Sequence, residues 1–116
     1  MAKDYDQLTK DISSYMGELR KAVPDAMQGF SSLAKGALQE GALDKKTKEL
    51  IALAIGVSTR CDGCIGFHAK ACLELGATRQ EIAETLAMTV YMGGGPSVMY
   101  AADALRAYDQ FAEKKE

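Results

Sequence analysis

Glu49-Leu50-Ile51-Ala52-Leu53-Ala54-Ile55-Gly56-Val57 is an unbroken apolar run behind a single carboxylate. Asp44 ahead of it is a good helix N-cap, and Lys45-Lys46-Thr47-Lys48 makes a polar first turn. The segment therefore reads as a helix ending near Ser58. A helix apolar on every side is buried on every side. In a chain of 116 residues that makes it the central helix of a bundle, or one that also faces a neighbouring subunit.

Directly downstream lies Arg60-Cys61-Asp62-Gly63-Cys64-Ile65-Gly66-Phe67-His68, with two of the three cysteines and the only histidine. A fourth helix starts inside this stretch, capped by Cys61 or Asp62, and runs to about Leu75 with Gly76 as its stop. Thr78-Arg79-Gln80-Glu81 is a capping box for a fifth helix, with Ile82, Ala83, Leu86, Ala87, Val90 and Tyr91 as its apolar face. Gly93-Gly94-Gly95-Pro96 breaks the chain, and Pro96 begins a sixth helix. Val98, Ala101, Ala102, Leu105 and Tyr108 form one apolar row of it; Tyr100, Ala104, Ala107 and Phe111 form a second. The charged tail from Ala112 is expected to fray.

Upstream, Tyr5, Leu8, Ile12, Tyr15, Met16 and Leu19 give a first helix over about 4–20 one apolar face. Pro24 opens a second, with Met27, Phe30, Leu33, Ala34, Ala37 and Leu38 on its face and Gly41 as a plausible stop. Gly29 and Gly36 within it mark either a close helix approach or mere tolerance. Strand and hairpin signals are nearly absent. The expectation is an all-α bundle of about six helices in one domain, 1–116.

The charge balance of −2 leaves no basic stripe for nucleic acid. The polar start lacks the apolar core of a signal peptide, and Leu50–Val57 is too short to span a bilayer. A soluble, cytoplasmic protein is expected, away from membranes. There a Cys-x-x-Cys pair is catalytic or metal-binding more often than a structural staple.

Cys64 falls in the first turn of its helix, where the positive dipole end and unpaired N–H groups favour thiolate. His68, four residues on, shares its face and can take the thiol proton or stabilise the thiolate. Cys61 sits where a resolving thiol belongs, able to close a disulfide on a sulfenic acid at Cys64. Glu49 enters a buried helix, which is costly unless it is paired, and His68 is the only histidine available to it. The alternative is a solvated first-turn carboxylate that serves the helix dipole. Cys61, Cys64, His68 and Cys72 also make a zinc-type donor list. Cys64 and Cys72, however, lie about 12 Å apart along one helix axis, too far to share an ion, which leaves Cys61, Cys64, His68 and Glu49 as the metal set still open. Cys72 reads as a small buried apolar side chain. The methionines and tyrosines read as packing, and no cofactor is implied.

Glu49, Cys61, Cys64 and His68 together match the pattern E-x11-C-x2-C-x3-H. It resembles the core motif of the alkylhydroperoxidase AhpD-like proteins of the carboxymuconolactone decarboxylase superfamily. The stretch from about Leu43 to Ala104 looks like their helical core, with 1–42 as an N-terminal helical pair, and Met92–Leu105 resembles small single-domain members. The resemblance implies an all-α fold assembling as homo-trimers or homo-hexamers, and thiol-dependent reduction of a hydroperoxide substrate with a dithiol, lipoyl-type or peroxiredoxin electron donor. By position, Cys64 would be oxidised, Cys61 would resolve it, and His68 and Glu49 would relay protons. Well-studied members place a second histidine where this chain has Gly63, which implies a shorter relay or one that uses water. The decarboxylase branch lacks the cysteine pair. Muconolactone decarboxylation, and a redox-sensing or metal-holding oligomeric module without catalysis, are the alternatives.

Overall fold

The structure is a computed structural model and describes residues 2–115. Six helices follow one another: α1 (Tyr5–Ala22), α2 (Pro24–Ala37), α3 (Lys45–Ser58), α4 (Asp62–Glu74), α5 (Arg79–Gly93) and α6 (Gly95–Lys115). No strand occurs among the described residues. Helices α3 to α6 pack on one another as a bundle, α1 lies across α4 and α6, and α2 packs on α1.

The helix starts follow local chemistry. Asp4, Asp44 and Thr78 accept from the backbone N–H three residues on, and Thr78 with Glu81 completes a reciprocal capping box. Gly76 ends α4 at a φ of 85°, in the left-handed region that a residue with a Cβ enters at a cost. The core is built from Tyr5 of α1, Leu53 and Val57 of α3, Ile65, Ala69 and Cys72 of α4, Ile82 and Leu86 of α5, and the alanines of α6 with Tyr108 and Phe111. Small residues at 101, 104 and 107 let α6 lie close to α4 and α5.

Several expectations change. Helix α2 stops at Ala37, not at Gly41, because the Lys48 ammonium of α3 donates to the carbonyls of Ala37 and Gln39 and closes the end early. Its apolar face meets no core: Phe30 and Leu33 are exposed and no residue of α2 is buried. Nothing approaches Gly29 or Gly36, so these glycines are tolerated and mark no close crossing. Helix α3 is buried only along Glu49, Leu53, Gly56 and Val57, while Ile51 and Ile55 face outward. On α5 Tyr91 points out and Thr89 points in, and on α6 Val98 is exposed where Ser97 is buried. The charged tail continues as helix to Lys115.

Candidate active site

The end of α3 and the start of α4 form one tight turn. Arg60 N–H donates to Val57 O, and Cys61 N–H donates to Gly56 O. This closes α3 with Arg60 at a φ of 57°, the one described non-glycine residue in the left-handed region. Cys61 is at once the last residue of that turn and the N-cap of α4. The Cys64 backbone N–H donates to the Cys61 sulfur at 3.1 Å. Cys61 and Cys64 are joined as a disulfide, with Cα atoms 5.2 Å apart.

The thiolate-favouring contact expected at Cys64 thus reaches Cys61. Its sulfur holds the N-cap position, with a backbone donor and the positive end of the helix dipole against it. Cys64 is held differently. A Cβ placed on Gly56 would come within 2.9 Å of the Cys64 Cβ, so the glycine lets α4 seat this cysteine against the α3 backbone.

Glu49 and His68 meet. The carboxylate Oε2 lies 2.6 Å from His68 Nδ1, with the Glu49 side chain buried and the imidazole partly exposed. The solvated reading of Glu49 is set aside, since a buried carboxylate requires such a partner. An ionised Glu49 is an acceptor, so Nδ1 carries the hydrogen and Nε2 is left to take or give a proton. His68 lies one turn beyond Cys64 on the same helix face. Cys72, one turn further, is fully buried. Burial, with a smaller contribution from the charge of Glu49, pushes its thiol up to about 12, so it stays protonated and inert at neutral pH. No group of three or more His, Cys, Asp or Glu side chains is placed to hold a metal among the described residues.

Three features of the site had no clear signal in the sequence. Gly63 lies under α1, where a Cβ would come within 3.0 Å of Ile12 Cδ1. Gly66 takes the Thr9 methyl and the edge of the Tyr5 ring in the space a side chain would fill. Lys3 Nζ donates to Asp62, inside the disulfide ring, and to Asp103 of α6, both at 3.0 Å. A glycine in a cysteine motif and a lysine in a polar leader look unremarkable until the helices are assembled.

Comparisons with known proteins bear on the family and the fold. Residues 24–107 match the model of the Carboxymuconolactone decarboxylase family. An uncharacterized protein of Cupriavidus necator is 42% identical over 109 residues, which is 94% of this chain and 96% of that protein. The crystal structure of a carboxymuconolactone decarboxylase family protein from Legionella pneumophila, in its apo form, superposes with a TM-score of 0.91. It is 56% identical, over 93% of this chain and 96% of that one. A family protein from Thermotoga maritima, with a suggested involvement in antioxidative response, superposes with a TM-score of 0.83 at 27% identity, over 92% of each chain.

Proposed function

The chain belongs to the carboxymuconolactone decarboxylase family, and from that premise we propose that it is a thiol peroxidase and disulfide oxidoreductase of the alkylhydroperoxidase type. The observation that supports this most is the buried Glu49–His68 hydrogen bond of 2.6 Å on the helix that begins with the Cys61–Cys64 pair. A carboxylate orients the imidazole, and the imidazole serves the thiol one turn away.

In this reading the Cys64 thiolate attacks a hydroperoxide oxygen and the O–O bond breaks. The departing alkoxide takes a proton from the His68 side, and Cys64 is left as sulfenic acid. The Cys61 thiolate, favoured by its N-cap position, attacks that sulfur; the S–O bond breaks and hydroxide leaves as water after taking a proton. Two electrons and two protons from a dithiol or lipoyl-type donor reopen the disulfide. Glu49 holds the histidine tautomer throughout.

The suggested antioxidative role of the Thermotoga relative is in keeping with this activity. The exposed apolar residues Phe30 and Leu33 of α2, Ile51 and Ile55 of α3, and Met88, Tyr91 and Met92 of α5 suit burial between copies, as in a homo-trimer or homo-hexamer. We take the chain as one domain working in the cytoplasm; no described helix is long and apolar enough to cross a membrane.

The test is peroxide consumption by reduced protein with a panel of dithiol donors. Wild type should lose two thiols per chain on stoichiometric peroxide, and Cys64→Ser should form no sulfenic acid and fall to background. Equal rates for the two proteins would refute the proposal. The family name supports a second reading, decarboxylation of a carboxymuconolactone, which would release carbon dioxide at a rate unchanged by Cys61→Ser or Cys64→Ser.

A further inference from the structure

Asp62 is an awkward neighbour for a thiol pair. It lies inside the ring closed by Cys61 and Cys64, and a carboxylate there opposes ionisation of either sulfur once the disulfide opens. The structure answers that charge from the far end of the chain. Lys3 Nζ is 3.0 Å from Asp62 Oδ1 and 3.0 Å from Asp103 Oδ2, and lies 5.6 Å from the centre of the Tyr100 ring. We infer that Lys3 is a positioning residue for the Cys61–Cys64 pair, neutralising Asp62 and so favouring the thiolates of the reduced enzyme.

Lys3 is placed by a built arrangement. The side-chain amide of Gln110 holds the backbone on both sides of Asp4: its nitrogen donates to Lys3 O at 2.7 Å, and its oxygen accepts from Tyr5 N at 2.8 Å. Asp4 caps α1, and the Tyr5 ring is fully buried against Gly66. Thr9 and Ile12 then seat α1 over Gly66 and Gly63. The two carboxylates, Asp62 foremost, hold the Lys3 ammonium protonated well above the usual lysine range. All of α1 lies outside the stretch that matches the family model.

A purely structural role accounts poorly for this effort. The Lys3 and Asp62 side chains are 39% and 40% exposed, and a pair that open to solvent adds little stability. Its value lies in the charge balance around the sulfurs. Glu49 of α3, Asp62 of α4 and Asp103 of α6 bring negative charge. Lys3 and Arg60 bring positive charge, Arg106 of α6 lies 3.8 Å from Asp103 and shares its charge, and His68 adds to the positive side when protonated. Loss of Lys3 leaves the carboxylates in excess.

The inference rests on the thiol-redox reading, and its test is read on reduced protein without peroxide. The pH dependence of thiolate absorbance gives the ionisation of Cys61 and Cys64, while buried Cys72 stays silent. Lys3→Met should lower the thiolate fraction at neutral pH about threefold, an effect sized for unit charges several ångströms apart in partly screened surroundings. Lys3→Arg should restore it. Asp62→Asn alone should raise the thiolate fraction, and adding Lys3→Met should bring it back near the wild-type value, since both charges are then gone. Lys3→Met thiols that titrate like wild type would overturn the inference, as would a double variant whose thiolate fraction stays as low as that of Lys3→Met alone. Should Lys3→Met not fold, the Asp62→Asn titration decides the matter, and no change there overturns it. Failure of the redox reading looks different: thiols titrating as expected in a protein that consumes no peroxide.

Discussion

Helix α4 is entered and left through turns of the same construction. At its start Arg60 and Cys61 donate back to Val57 and Gly56; at its end Gly76 and Ala77 donate back to Leu73 and Cys72. Each turn puts one residue at positive φ and leads into the N-cap of the next helix. They differ in what occupies those places. The later turn has glycine at the left-handed position and a threonine capping box, the residues that local energetics favours. The earlier one has arginine there and a cysteine as cap. One turn is chosen for the backbone, the other in spite of it. The departures from local preference fall together at the cysteine pair, where strain and function are commonly found together.

Exchanging the caps is the most severe test of that contrast. Cys61→Ser keeps an oxygen that can cap α4, so the melting temperature should stay close to that of the reduced wild type. Dithiol-dependent turnover should nonetheless fall by roughly two orders of magnitude, because the disulfide can no longer close. A Cys61→Ser protein that keeps its turnover would place the chemistry elsewhere. Gly76→Ala comes next. It forces a Cβ into a φ of 85° and should cost about 1–2 kcal/mol in denaturant unfolding, with thiol chemistry untouched. The smallest effect is expected from Arg60→Gly, which relieves the left-handed strain and should stabilise by about 0.5 kcal/mol, less than the full strain because glycine also gains freedom on unfolding. A loss of stability there would mean that the Arg60 side chain contributes more than its backbone costs.

Much of the fold can be read locally. Asp44, Gly76 and the Thr78–Glu81 box work within a few residues of themselves, and all three act as their neighbours suggest. The candidate site is half legible. The cysteine spacing gives the disulfide ring, and the cost of burying Glu49 makes His68 its natural partner, but spacing cannot decide whether the two meet. The rest depends on contacts between helices. Gly29 and Gly36 face open space while Gly56, Gly63 and Gly66 are each approached by a neighbour, and nothing adjacent in the sequence separates the two sets. Helices α1 and α2 have similar amphipathic periods, yet α1 buries Tyr5 and Thr9 and α2 buries nothing. A period specifies that a helix has an apolar face; it says nothing about what covers that face. Lys3 escapes notice for the same reason, since its partners lie 59 and 100 residues away.

The Gln110 amide that grips the chain around Asp4 has a kinetic consequence. A strand is released only when its sheet opens, whereas this grip is released when one side chain turns about its own bonds. The Tyr5 amide proton should therefore exchange with solvent deuterium through a small local opening, faster than amides whose protection requires the whole domain to unfold. Its exchange rate is a native readout of how often the leader that brings Lys3 to Asp62 lets go.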